Sequence, residues 1–288
     1  MTGLTRLLTA VPLLLLAACA HQPVAEPAQP PPAPPAAESP PASGIPDTPS
    51  TSSTWTPISG FTGHPLVGNA SAFEYTVRHQ DRTFSLQVVA FDSRELDLRV
   101  IDQPDDWAGG GHIAESLRAA GAVAGVNGGF FTPAFAPLGL MVADGRRTGT
   151  WQSNPLLTGA IVVTTHPQLL WNDAVQPEAA HQLLQAGPRL VDAARPVPGL
   201  DHRKTSTRTF IATDGGDQWV IGQVENATLA ELAELLSTPG LMPAFKVHRA
   251  LNLDGGRSSA IYYRTNDGRE HTQAGWSTVR NYLGIVPR

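Results

Sequence analysis

The feature that most constrains this chain is a short apolar run that ends on a polar residue and a pair of glycines. The clearest copy is Leu251-Asn252-Leu253-Asp254-Gly255-Gly256-Arg257-Ser258-Ser259. The apolar run reads as a buried strand, and the glycines read as a sharp exit from it. An Asp at such a strand end is held rigidly and points into whatever lies beyond. The glycines carry no Cβ, so a ligand can approach their backbone closely. Their N–H groups can then face an anion, with the Ser258 and Ser259 hydroxyls beside them. The same residues also fit a tight turn capped by Asp254, since Asp-Gly is a common turn pair. On these residues alone both readings stand.

Three further constellations have related character. Gly125-Val126-Asn127-Gly128-Gly129-Phe130-Phe131 repeats the order of buried strand, polar residue and glycine pair. Asn127 offers both a donor and an acceptor. Pro137 to Gly145 is a strand ending in the turn Asp144-Gly145, for which a turn is the favoured reading. Gln185-Ala186-Gly187-Pro188-Arg189-Leu190-Val191 and Arg208-Thr209-Phe210-Ile211 each set an Arg at the opening of an apolar strand. That arrangement fits an anion clamp or a surface salt bridge. Arg280-Asn281 stands near the C-terminus.

The rest of the chain divides into three parts. Residues 1–18 are a targeting segment, with Arg6 as the positive n-region and Leu7 to Ala18 as a short apolar core. That core is too short to span a membrane, which needs about 20 apolar residues. It ends in Leu16-Ala17-Ala18-Cys19, which closely resembles the lipobox of bacterial lipoproteins, so Cys19 is the expected lipidation site and membrane anchor. Ala20 after the Cys resembles the pattern passed on to the outer membrane of a Gram-negative cell, with the protein facing the periplasm or the cell surface. Cys19 is the only cysteine, so no internal disulfide can form. Residues 19–59 are rich in Pro, Ala and Ser and cannot bury a core; they read as a disordered tether. Residues 60–288 are long enough for one globular domain.

Within that domain, alternation at Phe73, Tyr75 and Val77, and again at Phe84, Leu86 and Val88, predicts strands, with Leu96 to Ile101 as a third. Gly109 to Gly111 reads as a flexible break and His112 to Ala120 as a short helix. Ala122 to Val126, Leu138 to Val142, Ala160 to Thr164 and Val279 to Val286 read as further strands. Arg208 to Thr213 and Gln218 to Val224 flank Asp214-Gly215-Gly216-Asp217 as a hairpin. Thr228 and Glu231 form a capping-box pattern that opens a helix Leu229 to Ser237. No internal repeat occurs. Strands with two or three helices predict an α+β class.

The net charge of −5 gives no basic face for nucleic acid. The nine His are scattered and give no zinc-ligand spacing. Asn127, Asp144 and Asp254 carry oxygen ligands of the kind a hard cation such as calcium takes, but no cofactor is called for.

Taken in order, the motifs at 125–131, 185–191, 208–211, 252–256 and Arg280-Asn281-Tyr282-Leu283 resemble the phosphodiester glycosidase family over roughly Phe73 to Pro287. The resemblance implies a single domain with a mixed, mostly antiparallel sheet and packed helices. It implies hydrolysis of a sugar joined through its anomeric carbon to a phosphodiester. Asp254 would act at the anomeric centre, Arg208 on the phosphate, and Asn127 on a sugar hydroxyl or the phosphate. Gly128, Asp144, Gln185, Gly255, Gly256, Ser258, Arg280 and Asn281 would line the substrate. Arg257 stands where many family members carry Gly or another small residue, and Ala212 where many carry Gly. The expected partner is a phosphorylated carbohydrate or cell-envelope polymer. The other reading is a non-catalytic lipoprotein that holds a phosphorylated glycan.

Overall fold

In a computed structural model of the chain, the described residues are 54–104, 112–243 and 245–288. The targeting segment, Cys19, all of the tether before Thr54 and the Gly109–Gly111 break lie outside them. The folded part begins ahead of Gly60. Trp55 is buried and stacks on His79 at 4.2 Å, and Thr56–Pro57 pairs with the strand Ser71–His79.

Three antiparallel sheets make up the fold. A nine-stranded sheet is centred on Arg82–Asp92, Gln218–Ala227, Ser206–Thr213, Arg249–Asn252 and Arg189–Asp192, in that order. One five-stranded sheet runs Glu270–Gln273, Ile261–Arg264, Ala124–Asn127, Asn281–Pro287 and Leu96–Asp102. The other runs Pro167–Trp171, Gly159–Val163, Gln182–Ala186, Met141–Ala143 and Arg146–Thr148. Two α-helices occur among the described residues, Ile113–Ala119 and Leu229–Ser237.

The expected α+β class, with a mixed sheet and packed helices, is therefore corrected to a mostly β fold. The physical reason lies in the connections. A parallel pair needs a crossover of roughly a dozen residues or more, usually helical, whereas an antiparallel pair closes through a tight turn. This chain spends its glycines on turns. Gly215 sits at φ +91° between Ser206–Thr213 and Gln218–Ala227, and Asp214 Oδ1 accepts from the Gly216 N–H at 2.7 Å.

The central strands of the nine-stranded sheet are apolar on both faces. Val89, Ile211, Ile221 and Leu251 point inward and meet Val126, Leu283 and Ile285 of one small sheet and Met141, Ile161 and Leu184 of the other. Phe210, Ala212, Val220 and Ala250 point outward and are covered by Leu232, Leu235 and Leu236 of the helix Leu229–Ser237. Each fully buried Leu of that helix contributes about 1.5–3 kcal/mol. The capping box forms as expected. The Thr228 hydroxyl accepts from the Glu231 N–H at 3.1 Å, and the Glu231 carboxylate accepts from the Thr228 N–H at 2.8 Å. The shorter helix lays Ile113 and Leu117 against Tyr262 and Tyr282.

Candidate active site

Two strand ends meet where the nine-stranded sheet abuts the sheet that holds Ala124–Asn127. Asn127 ends its strand with no exposed surface. Its Nδ2 donates to the main-chain oxygen of Asp254 at 2.7 Å. Its Oδ1 accepts from the Thr209 hydroxyl at 2.8 Å and from the Ala260 N–H at 3.1 Å. One amide side chain thereby ties three segments together, using both acceptor positions of Oδ1 and one of its two N–H donors. Asn127 holds Asp254 in place.

The neighbouring turn completes the clamp. Gly128 O accepts from the Asp254 N–H at 3.0 Å, and the Gly128 N–H donates to Asn281 O at 2.9 Å. Asn281, also fully buried, accepts at Oδ1 from the Gly129 N–H at 2.7 Å. A Cβ on Gly128 would lie 1.9 Å from that Oδ1, so only glycine fits. Gly256 adopts φ +64° as the chain leaves Asp254 into the short 3-10 turn Gly256–Ser258.

The Asp254 carboxylate is partly buried and accepts from the Gly255 N–H at 2.8 Å and from the Ser258 side chain. Burial pushes this carboxyl up from its ordinary value, and those two hydrogen bonds partly offset the rise. A carboxylate shifted by desolvation and fixed by neighbouring strands is the kind of group that chemistry uses.

Arg208 lies close to Asp254 in backbone, and its side chain is anchored on main-chain oxygens. Phe210 pairs with Asn252, and Leu253 donates to Thr209 O at 2.9 Å. The same register, continued, sets Arg208 across from Asp254. Yet its guanidinium is half-buried and donates to Ala227 O at 2.9 Å and Lys204 O at 2.5 Å. Two of its five N–H donors are used in this way. Burial lowers its proton affinity from the ordinary value.

Other expected residues take places beside the clamp or away from it. Arg280 is fully buried and faces Asp102 at 2.9 Å, with Pro104 O at 3.0 Å and Gln103 O as further acceptors. It braces the end of the small sheet. Gln185 is buried and brackets Leu140 N–H, Gln152 N–H and Gln152 O. Asp144, at φ +49°, pairs with Arg99 at 2.6 Å and accepts from Gln182 Nε2 at 2.7 Å. Arg99 holds its carboxyl below the usual carboxylate range. Among the described residues no group of three or more His, Cys, Asp or Glu is set to hold a metal.

Thr209, which had no role of its own in the sequence reading, shares a hydrogen bond at 3.2 Å with Ser259 under the clamp. The signal was the strand period: if Arg208 faces one side of its strand, Thr209 faces the other.

A family model described as phosphodiester glycosidase matches residues 120–286, more than half of the chain and every segment of the clamp. The chain belongs to the phosphodiester glycosidase family. Membership supports a glycosidase-type hydrolase. Among solved structures, the zebrafish N-acetylglucosamine-1-phosphodiester alpha-N-acetylglucosaminidase catalytic domain, auto-inhibited by its pro-peptide, is similar at TM-score 0.56 and 15% identity. That match covers 80% of this chain and 88% of the zebrafish one. A hypothetical protein from Synechocystis is similar at TM-score 0.51 and 17% identity, over 76% of this chain and 62% of its own. At these identities the likeness is one of fold. No curated protein matches this phosphodiester glycosidase in sequence.

Proposed function

We propose that this phosphodiester glycosidase hydrolyses the anomeric bond of a sugar-1-phosphodiester, with Asp254 at the anomeric centre. The observation that carries this is the Asp254 carboxylate itself: partly buried, raised in proton affinity, and fixed through its main chain by Asn127 and Gly128. Most glycosidases need a second carboxylic acid to protonate a poor alkoxide leaving group. A phosphate monoester leaves as a stable anion, so one carboxylate suffices. What the reaction needs is that carboxylate on the developing oxocarbenium centre and cationic or N–H donors on the phosphate. The remaining donors of Arg208 are in register for the second role, on a side chain half-open to solvent. The zebrafish relative, named for its action on an N-acetylglucosamine-1-phosphodiester, supports the same substrate class.

The cellular setting belongs to the same proposal. The lipobox-like Leu16-Ala17-Ala18-Cys19 and the Pro-rich tether support an exported lipoprotein, held by lipid at Cys19. Its partner would be a phosphorylated carbohydrate of the cell envelope.

The test is release of free sugar from a generic sugar-1-phosphodiester by the parent and by Asp254→Asn, run beside an aryl glycoside of the same sugar. Activity of the parent, lost about 10³-fold in kcat on both substrates by the variant, is the expected result. Full activity in the variant overturns the assignment and leaves the non-catalytic binding reading.

A further inference from the structure

Two side chains beside Asp254 have no role in the chemistry above. Trp276 is 92% exposed, whereas Trp55, Trp171 and Trp219 are buried. An indole left this open forgoes about 150–250 Å² of burial. Its backbone is nevertheless seated on the Asp254 turn: the Trp276 N–H donates to Arg257 O at 2.7 Å. Gly275 fits so closely that a Cβ there would come 2.9 Å from Arg257 O and 3.0 Å from Ser258 O. The backbone that carries the indole is thus fixed at the edge of the site.

Arg257 supplies the second observation. Its side chain is exposed and makes no hydrogen bond or ion pair among the described residues. Arg257 and Trp276 line one open recess of about 360 Å³, together with Ser206, Thr207 and Gly256. An exposed cation and an exposed flat ring sharing one recess match a ligand that carries both an anion and a ring. Exposure also rises outward along this edge, from the partly buried Asp254 to Arg257 and Trp276. Gly256, two residues after Asp254, lines the recess, so the recess adjoins the Asp254 turn.

We propose that Arg257 and Trp276 form the subsite for the leaving side of the substrate, Arg257 on the phosphate and Trp276 stacking on a ring that the phosphate carries. The proposal rests on the phosphodiester glycosidase reading of Asp254 and adds the substrate class: phosphodiesters whose second ester bears a ring.

Calorimetric binding of methyl phosphate, phenyl phosphate and glucose 6-phosphate to the full chain tests it without turnover. The expected result is that at least one ring-bearing phosphate binds about tenfold more tightly than methyl phosphate. Preference for phenyl phosphate alone marks an aromatic leaving side, and preference for glucose 6-phosphate alone a sugar. Trp276→Ala should erase the preference, and Trp276→Phe should keep most of it. Arg257→Gln should weaken all three probes alike. Both side chains are exposed, so melting temperatures should stay unchanged. Equal binding of all three probes by the parent, or a preference that survives Trp276→Ala, overturns the proposal. If the ring preference holds while no sugar-1-phosphodiester is turned over, the reading of Asp254 fails and the recess stands.

Discussion

Asn127 Nδ2 donates to the Asp254 main-chain oxygen at 2.7 Å, across 127 residues of sequence. This bond and the reciprocal Asp254 N–H to Gly128 O bond fix the carboxylate from its backbone, so Asn127 is a positioning residue. Asn127→Asp keeps the shape but sets an acceptor against the Asp254 oxygen. A fall in kcat of about 10²-fold with little change in KM is expected, since a small misplacement at a reacting group costs that much. Steady-state kinetics on a sugar-1-phosphodiester measure it. Unchanged kcat would show that the clamp does not set the geometry of Asp254.

Burial raises the Asp254 carboxyl, and activity and stability should respond with opposite signs. Acting ionised, Asp254 should give kcat/KM an acid limb that is lost as pH falls through a midpoint above the ordinary Asp value of about 3.9. The folded state binds this proton more tightly than the unfolded chain does. Its contribution to stability is therefore fully present below the unfolded pKa and is lost as pH rises through the raised folded one. Asp254→Asn should accordingly melt higher than the parent at pH 7, with the gap closing near pH 3. A variant that melts lower at pH 7 would show a stabilising carboxylate, contrary to its buried setting.

Arg208 and Arg280, both in the family motifs, should separate cleanly. Arg280 is a buried brace on Asp102, so Arg280→Met should cost about 3 kcal/mol, or ~10 °C in Tm. It should leave KM unchanged in the protein that remains folded. Arg208→Lys keeps the charge and loses the planar fork. It should impair a sugar-1-phosphodiester by about tenfold or more and leave an aryl glycoside nearly untouched. Equal loss on both substrates would remove the phosphate contact from Arg208.

The anchor is tested by fractionation. Cys19→Ser should release the full chain from membranes, because the lipidated thiol is the proposed attachment. Variant chain that still sediments with membranes would count against it.

The strands were legible because their alternation is strong: Phe84, Leu86 and Val88 are all buried on one face of Arg82–Asp92 as expected. The class was misread because the motifs imply packed helices, while the connections that decide sheet direction are short turns such as Asp214–Asp217. At the site, the Asp254 turn was legible from its glycines. The side-chain direction of Arg208 was not, because it depends on Ala227 and Lys204 carbonyls that no motif marks. The brace role of Arg280 depends on Asp102, far away in sequence, and was hidden for the same reason. Trp276 gave no signal at all: a lone Trp in a sequence reads as core, and only its 92% exposure beside Arg257 marks it otherwise.

The most direct test of the central claim is which bond breaks. Hydrolysis of a sugar-1-phosphodiester in ¹⁸O-labelled water, with prompt mass analysis of both products, answers it. Attack at the anomeric carbon with Asp254 as nucleophile or base predicts the label in the hydroxyl of the released sugar and none in the phosphate monoester. Label in the phosphate would mean attack at phosphorus, and the assignment of Asp254 to an anomeric centre would be wrong.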